Sequence, residues 1–159
     1  MQDDVSGFLR GSVQQGDERR LSQQLVLHWN TWRDDGMPFP SHAAFNPEDL
    51  GNLWNDCLLV QIKQEGKSFA HQYLHIGENI PGMLGDSETI TSTLNLVDNL
   101  AGYYKDVVDD GKVAFREDEF TNSAGEPVKF RLILLPMGDN KRVDHILVGI
   151  RYRIYDAEE

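Results

Sequence analysis

The last third of the chain constrains the fold most. Three strand-length runs close it: KVAFREDEF (112–120), PVKFRLILLPM (127–137) and RVDHILVGIRYRI (142–154). They are joined across Asn-Ser-Ala-Gly (122–125) and Gly-Asp-Asn-Lys (138–141). Connections this short can only reverse the chain, so consecutive strands must pair antiparallel. Gly and Asn stand in both joints, where positive φ is needed. An earlier hairpin is written the same way, with CLLVQIKQ (57–64) and SFAHQYLHI (68–76) on either side of Glu65-Gly66-Lys67. Five strands in two hairpin-joined groups form one antiparallel sheet, and the segments between the groups must supply what covers it.

Those segments read as helices and loops. Over 18–35, Leu21, Leu25, His28, Trp29 and Trp32 recur at helical spacing, with Asp17 placed to cap the start and Gly36 to end it. Over 92–110, Val97, Leu100, Tyr104 and Val107 line one face, and Gly111 follows as a left-handed stop. Residues 36–47, GMPFPSHAAFNP, hold three prolines and form an extended linker, and Asn46-Pro47 starts a short helical turn through Trp54. The run GENIPGMLGDSETI (77–90) has room for short turns and loops only. The expected organisation is a flexible tail over 1–17, an N-terminal helix and Pro-rich linker over 18–54, and a sheet-and-helix domain over 55–155. The fold class is α+β: a five-stranded antiparallel sheet with helices on one face, plus the N-terminal helix. The expected core joins Leu132, Leu134, Ile146, Val148 and Ile150 of the sheet to Val97, Leu100 and Val107 of the later helix.

Charge and composition narrow the function classes. The chain has 26 Asp+Glu against 15 Lys+Arg, a formal net charge of −11. Residues 86–126 alone carry ten acidic side chains and three basic ones. Such a surface repels phosphate backbones and anionic lipid, so neither nucleic acid nor membrane is an expected partner. No run approaches the ~20 apolar residues that cross a bilayer, and MQDDVSGFLR does not read as a secretory signal. With Cys57 as the single cysteine, no internal disulfide can form, and a cytoplasmic location is expected.

The element order is also that of a PAS domain, and the text resembles the stand-alone PAS proteins of alphaproteobacteria, built as one PAS domain behind an N-terminal helix. The resemblance is carried by Trp32 with Gly36-Met-Pro-Phe-Pro, by Asn46-Pro47-Glu-Asp-Leu50, and by 73–77 at the end of the second strand. Leu134-Leu-Pro-Met137 and Val143-Asp-His-Ile146 complete it. It implies a sensory or protein-interaction module rather than an enzyme, acting through an unidentified signalling partner and a small molecule held between sheet and helix. Leu74 stands where that family tends to place an arginine. PAS domains that bind haem usually supply a histidine from the helix over the sheet, and 92–110 contains none. Flavin-binding members carry an Asn-Cys-Arg signature that is missing as well. No cofactor is named by the sequence.

The residues themselves offer few reactive constellations. His71, Tyr73 and His75 alternate on a strand and are expected on one face. Its two histidines would stand ~13 Å apart, too far to share a metal. Cys57 opens an apolar strand beside Asp56, which raises a thiol's pKa, and reads as a buried small hydrophobe. Glu117 and Glu119 share one side of a strand, the solvent side. The residues expected to touch a ligand's polar end are Tyr73, His75, Tyr103, Tyr104, Arg116 and Arg131, the last being the weaker because alternation points it away from Leu132 and Leu134. The alternative reading is a small α+β enzyme or carrier whose cavity is lined by Tyr73, His75 and Tyr104. The stripe Leu21, Leu25, Trp29 and Trp32 needs cover, from its own sheet or from a second copy, and a homodimer seated on it is expected.

Overall fold

A computed structural model describes residues 8–11, 17–84 and 97–155. Its strands are β1 (Phe8–Gly11), β2 (Cys57–Glu65), β3 (Ser68–Ile76), β4 (Ala114–Thr121), β5 (Pro127–Met137) and β6 (His145–Tyr155), and its α-helices are α1 (Asp17–Trp32) and α2 (Ala101–Asp110). The five long strands form one antiparallel sheet in the order β3-β2-β6-β5-β4, an α+β architecture with an N-terminal helix. The short β1 pairs with the far end of β6, Phe8 opposite Tyr155, so part of the expected tail is a sixth strand. No helix among the described residues is long and apolar enough to cross a membrane.

The turns carry the expected backbone chemistry. Gly66 and Gly125 adopt φ of 65° and 79° in their hairpins, and in the last hairpin Asn140 and Lys141 adopt 55° and 62°. Asn122 fixes its turn with its side chain: Oδ1 accepts from the N–H groups of Ala124 and Glu126, each at 3.0 Å. Gly111 takes the left-handed conformation after α2 and donates its N–H to Val107 O. α1 ends at Trp32 rather than at 35, and Arg33 closes the turn by donating to Met37 O at 2.9 Å. The later helix is regular from Ala101, and its expected start over 92–96 lies outside the described residues.

The sheet is covered on both faces. On β5 and β6 the even-numbered residues face α2: Leu132 pairs with Ile150, Leu134 with Val148, and all four are buried against Val97, Leu100 and Val107. The odd-numbered residues of the strand middles face α1, whose Leu21, Leu25, Trp29 and Trp32 are buried too, at 2, 0, 7 and 7 % exposure. Gly149 makes this approach possible, because a Cβ there would lie 2.4 Å from a Leu25 methyl. Trp29 donates its indole N–H to Pro136 O at 2.8 Å and Trp32 donates its own to Asp49 Oδ2 at 3.0 Å, which satisfies both polar atoms of the stripe. The stripe is thus covered within its own chain, and a dimer seated on those four side chains would first have to peel α1 from the sheet. One apolar cluster runs from Leu21 to Ile154, so the expected divide near residue 54 does not separate two cores.

A buried ion pair locks the turn before β2 to β6. Arg151 donates to Asp56 Oδ2 through Nε at 3.0 Å and through a terminal nitrogen at 2.9 Å. Asn79 donates to the other oxygen at 2.8 Å. Three charge-assisted or neutral donors on one carboxylate satisfy a group that would otherwise be costly to bury.

Candidate ligand-binding site

The site is built where α2 crosses β3. Tyr104, on the buried face of α2, is fully enclosed and places its hydroxyl 3.0 Å from that of Tyr73 on β3. Tyr104 donates to Val97 O at 3.2 Å, which leaves Tyr73 to donate to Tyr104. The His71 ring stands edge-on to both phenols, at centroid distances of 5.4 and 5.5 Å. Its Nε2 donates to Asp98 Oδ1 at 2.9 Å. Asp98 is 52 % exposed and His71 21 %, so the four side chains form a polar string from the surface into the core.

Electrostatics keep the phenols neutral. Burial raises the Tyr73 pKa above the ordinary phenol value, and the nearby Asp98 carboxylate adds to the rise. Burial also raises Tyr104, with Tyr73 and Asp98 contributing. Both groups keep their protons at physiological pH and serve as hydrogen-bond donors and acceptors, not as bases or nucleophiles. The Cys57 thiol is held protonated in the same way, by burial first and then by Asp56, and it bonds to Leu53 O at 3.2 Å.

Of the six residues expected at a ligand's polar end, the structure brings together Tyr73 and Tyr104. His75 is turned away by a β-bulge at Leu74. The register pairs Tyr73 with Val60 but His75 with Leu59, adjacent β2 residues on opposite faces. His75 lies flat on Trp54, with ring centroids 3.6 Å apart, and donates to Trp54 O at 2.9 Å. Strict alternation, which would put His71, Tyr73 and His75 on one face, fails at that extra residue. Tyr103 and Arg116 form a separate surface group. Tyr103 donates to Asp118 at 3.1 Å, and Arg116 reaches Asp106 at 3.6 Å and covers the Tyr103 ring. Neighbours on a helix diverge by about 100°, which separates Tyr103 from Tyr104. Arg131 projects from the opposite sheet face and pairs with Glu117 at 3.3 Å, so it cannot line a space beneath α2.

That opposite face carries a charge ladder. Glu117, Arg131 and Arg151 stand in one cross-strand row, and Glu119, Lys129 and Arg153 in the next. All of them but Arg151 edge an open dish of about 350 Å³, with Lys129 over the Tyr155 ring. Opposite charges alternate with like ones along each row, and the Asp56 carboxylate balances Arg151.

Sequence reasoning singled out His71 as a strand residue but not its pairing with Asp98. It also missed the Asp56–Arg151 pair, which joins positions 95 residues apart. A helix-face pattern marks Tyr104 as inward-facing, but no local signal says which strand residue meets it. A scan against protein-family models gives no match, and neither does a search of curated proteins.

Proposed function

We propose that the chain is a PAS-type regulatory module that senses a small molecule at the α2–β3 crossing and passes the state of that site to a partner protein. The observation that carries this reading is a polar cluster of two hydrogen-bonded pairs, Asp98–His71 and Tyr73–Tyr104, brought together by the edge-on contact of the His71 ring with both phenols. It supplies polar atoms at the edge of an apolar interface, the arrangement with which small-ligand sites fix a polar end. Its phenols are held neutral, which suits recognition rather than bond breaking. Ligand-dependent movement of Asp98 would be felt at the start of α2, and that helix spans the core to the β4 edge.

A thermal-shift screen of small apolar molecules with one hydroxyl or carboxyl end, followed by native mass spectrometry, tests the reading. At least one compound is expected to raise the melting temperature by several degrees and to bind one per chain. Tyr73→Phe should weaken that binding about tenfold, the loss of one net hydrogen bond, while leaving the fold intact. Turnover of a compound, abolished by substitution of Tyr73, Tyr104 or His71, would replace the sensor by an enzyme.

A further inference from the structure

The linker between α1 and the helical turn at Pro47 contains no Asp, Glu, Lys or Arg between residues 36 and 47, and His42 is its one titratable side chain. It is nevertheless strapped tightly across the sheet. Phe39 is buried, and Pro40 O accepts from Gly138 N–H at 2.9 Å. Phe45 packs edge-on to Trp32 and tilted against Trp54, at 5.0 and 5.7 Å. Between these anchors His42 lies face to face with His145, the first residue of β6, with centroids 3.6 Å apart and planes 6° from parallel. His145 donates from Nδ1 to Asp144 at 2.7 Å.

We propose that the His42–His145 stack is an acid-sensitive latch, which holds the strap on the sheet while His42 is neutral and loosens it as His42 takes up a proton. Burial leaves a proton on His42 poorly solvated against the stacked ring, and the groups facing the stack offer little compensation. Asp144 and Asp139 on the β5–β6 hairpin favour a charged His42, while Lys141 and Arg142 on the same hairpin carry the opposite charge. The residues opposite His145 on β2 and β5 are Gln61 and Met137, both uncharged. From α1 the strap meets Trp32, behind which the His28 ring stacks at 6.1 Å.

Burial lowers the His42 pKa from the ordinary histidine value of 6.5, and His145 lowers it further. The closed strap therefore binds fewer protons than the open one. Closure is fully favoured above about pH 6.5 and weakens as pH falls from there through the lowered value. Release would free Phe45 from Trp32 and Trp54, so α1 and the turn before β2 would both register it.

Hydrogen exchange of the full chain, read by mass spectrometry at pH 7.5 and 5.5 and corrected for intrinsic rates, tests the latch. Protection over 36–46 is expected to fall several-fold, up to about tenfold, at pH 5.5, while β5 and β6 keep theirs. His42→Phe retains a ring but no titrating group and should keep the strap protected at both pH values. His42→Gln, which removes ring and charge together, should show a weaker strap with no pH step. Equal protection of the wild type at both pH values overturns the latch. So does a fall of the same size in His42→Phe, or a parallel loss across β5 and β6, which would mean global acid unfolding.

Discussion

Asp56 and Arg151 show how a single side chain can hold distant parts of this molecule together. The Asp56 side chain is 8 % exposed and the Arg151 side chain 13 %, and Asn79 ties the loop after β3 to the same carboxylate. Removing one partner leaves the other charge buried without compensation. Asp56→Ala is expected to cost ~3–5 kcal/mol in urea denaturation. Replacing both partners with apolar residues of similar volume, Asp56→Leu with Arg151→Met, should cost much less, because no orphaned charge remains. A double variant as unstable as the single one would mean that the pair contributes by geometry rather than by mutual neutralisation. Tyr104 follows the same logic at smaller scale, since its buried hydroxyl is satisfied at once by Val97 O and Tyr73.

Among the elements, the close seat of α1 on the sheet depends on Gly149. A Cβ there would clash with the end of the Leu25 side chain and crowd the Ile133 methyl on the neighbouring strand at 3.2 Å, so both side chains would have to shift. Gly149→Ala is therefore expected to cost ~1–3 kcal/mol by overpacking. Paired with Leu25→Ala, its added cost should shrink, because the contacting methyl is gone, and thermal melts of the two singles and the double measure that coupling. The strands themselves were legible because their signals are local. VKFRL alternates and is buried on one face, while ILLPM is buried on both where α1 arrives. Alternation failed at His75 because the bulge at Leu74 is set by pairing with β2, which strand periodicity does not encode. α1 stops three residues early for a similar reason: Arg33 turns back to Met37 and the linker takes over. The His42–His145 stack lies beyond local reading altogether, since it joins a linker to a strand 103 residues later.

At the scale of the whole molecule, α1 is half of the core rather than an appendage. It covers the face that presents Cys57, Leu59, Ile133, Leu135 and Leu147, each 6 % exposed or less. Stripping it would bare a contiguous apolar surface of the kind that soluble chains rarely leave open. What α1 leaves exposed is smaller, a patch formed by Val26 and Leu27 with Phe115 of the β4 edge, where Leu27 is 65 % and Phe115 59 % exposed. A chain lacking residues 1–35 is accordingly expected to be recovered as aggregate, or as a species that binds a hydrophobic dye and melts without cooperativity. Trp29→Ala with Trp32→Ala in the full chain should lower the melting temperature by the same amount at every protein concentration, because the lost contacts are within one chain. Replacing two buried tryptophans costs several kcal/mol, ~3–5 for each large aromatic truncated. A melting temperature that instead falls with dilution in the wild type, and no longer does so in the double variant, would place the stripe between two copies. A truncated chain that stays soluble and melts cooperatively near the wild-type temperature would return α1 to the role of an accessory helix.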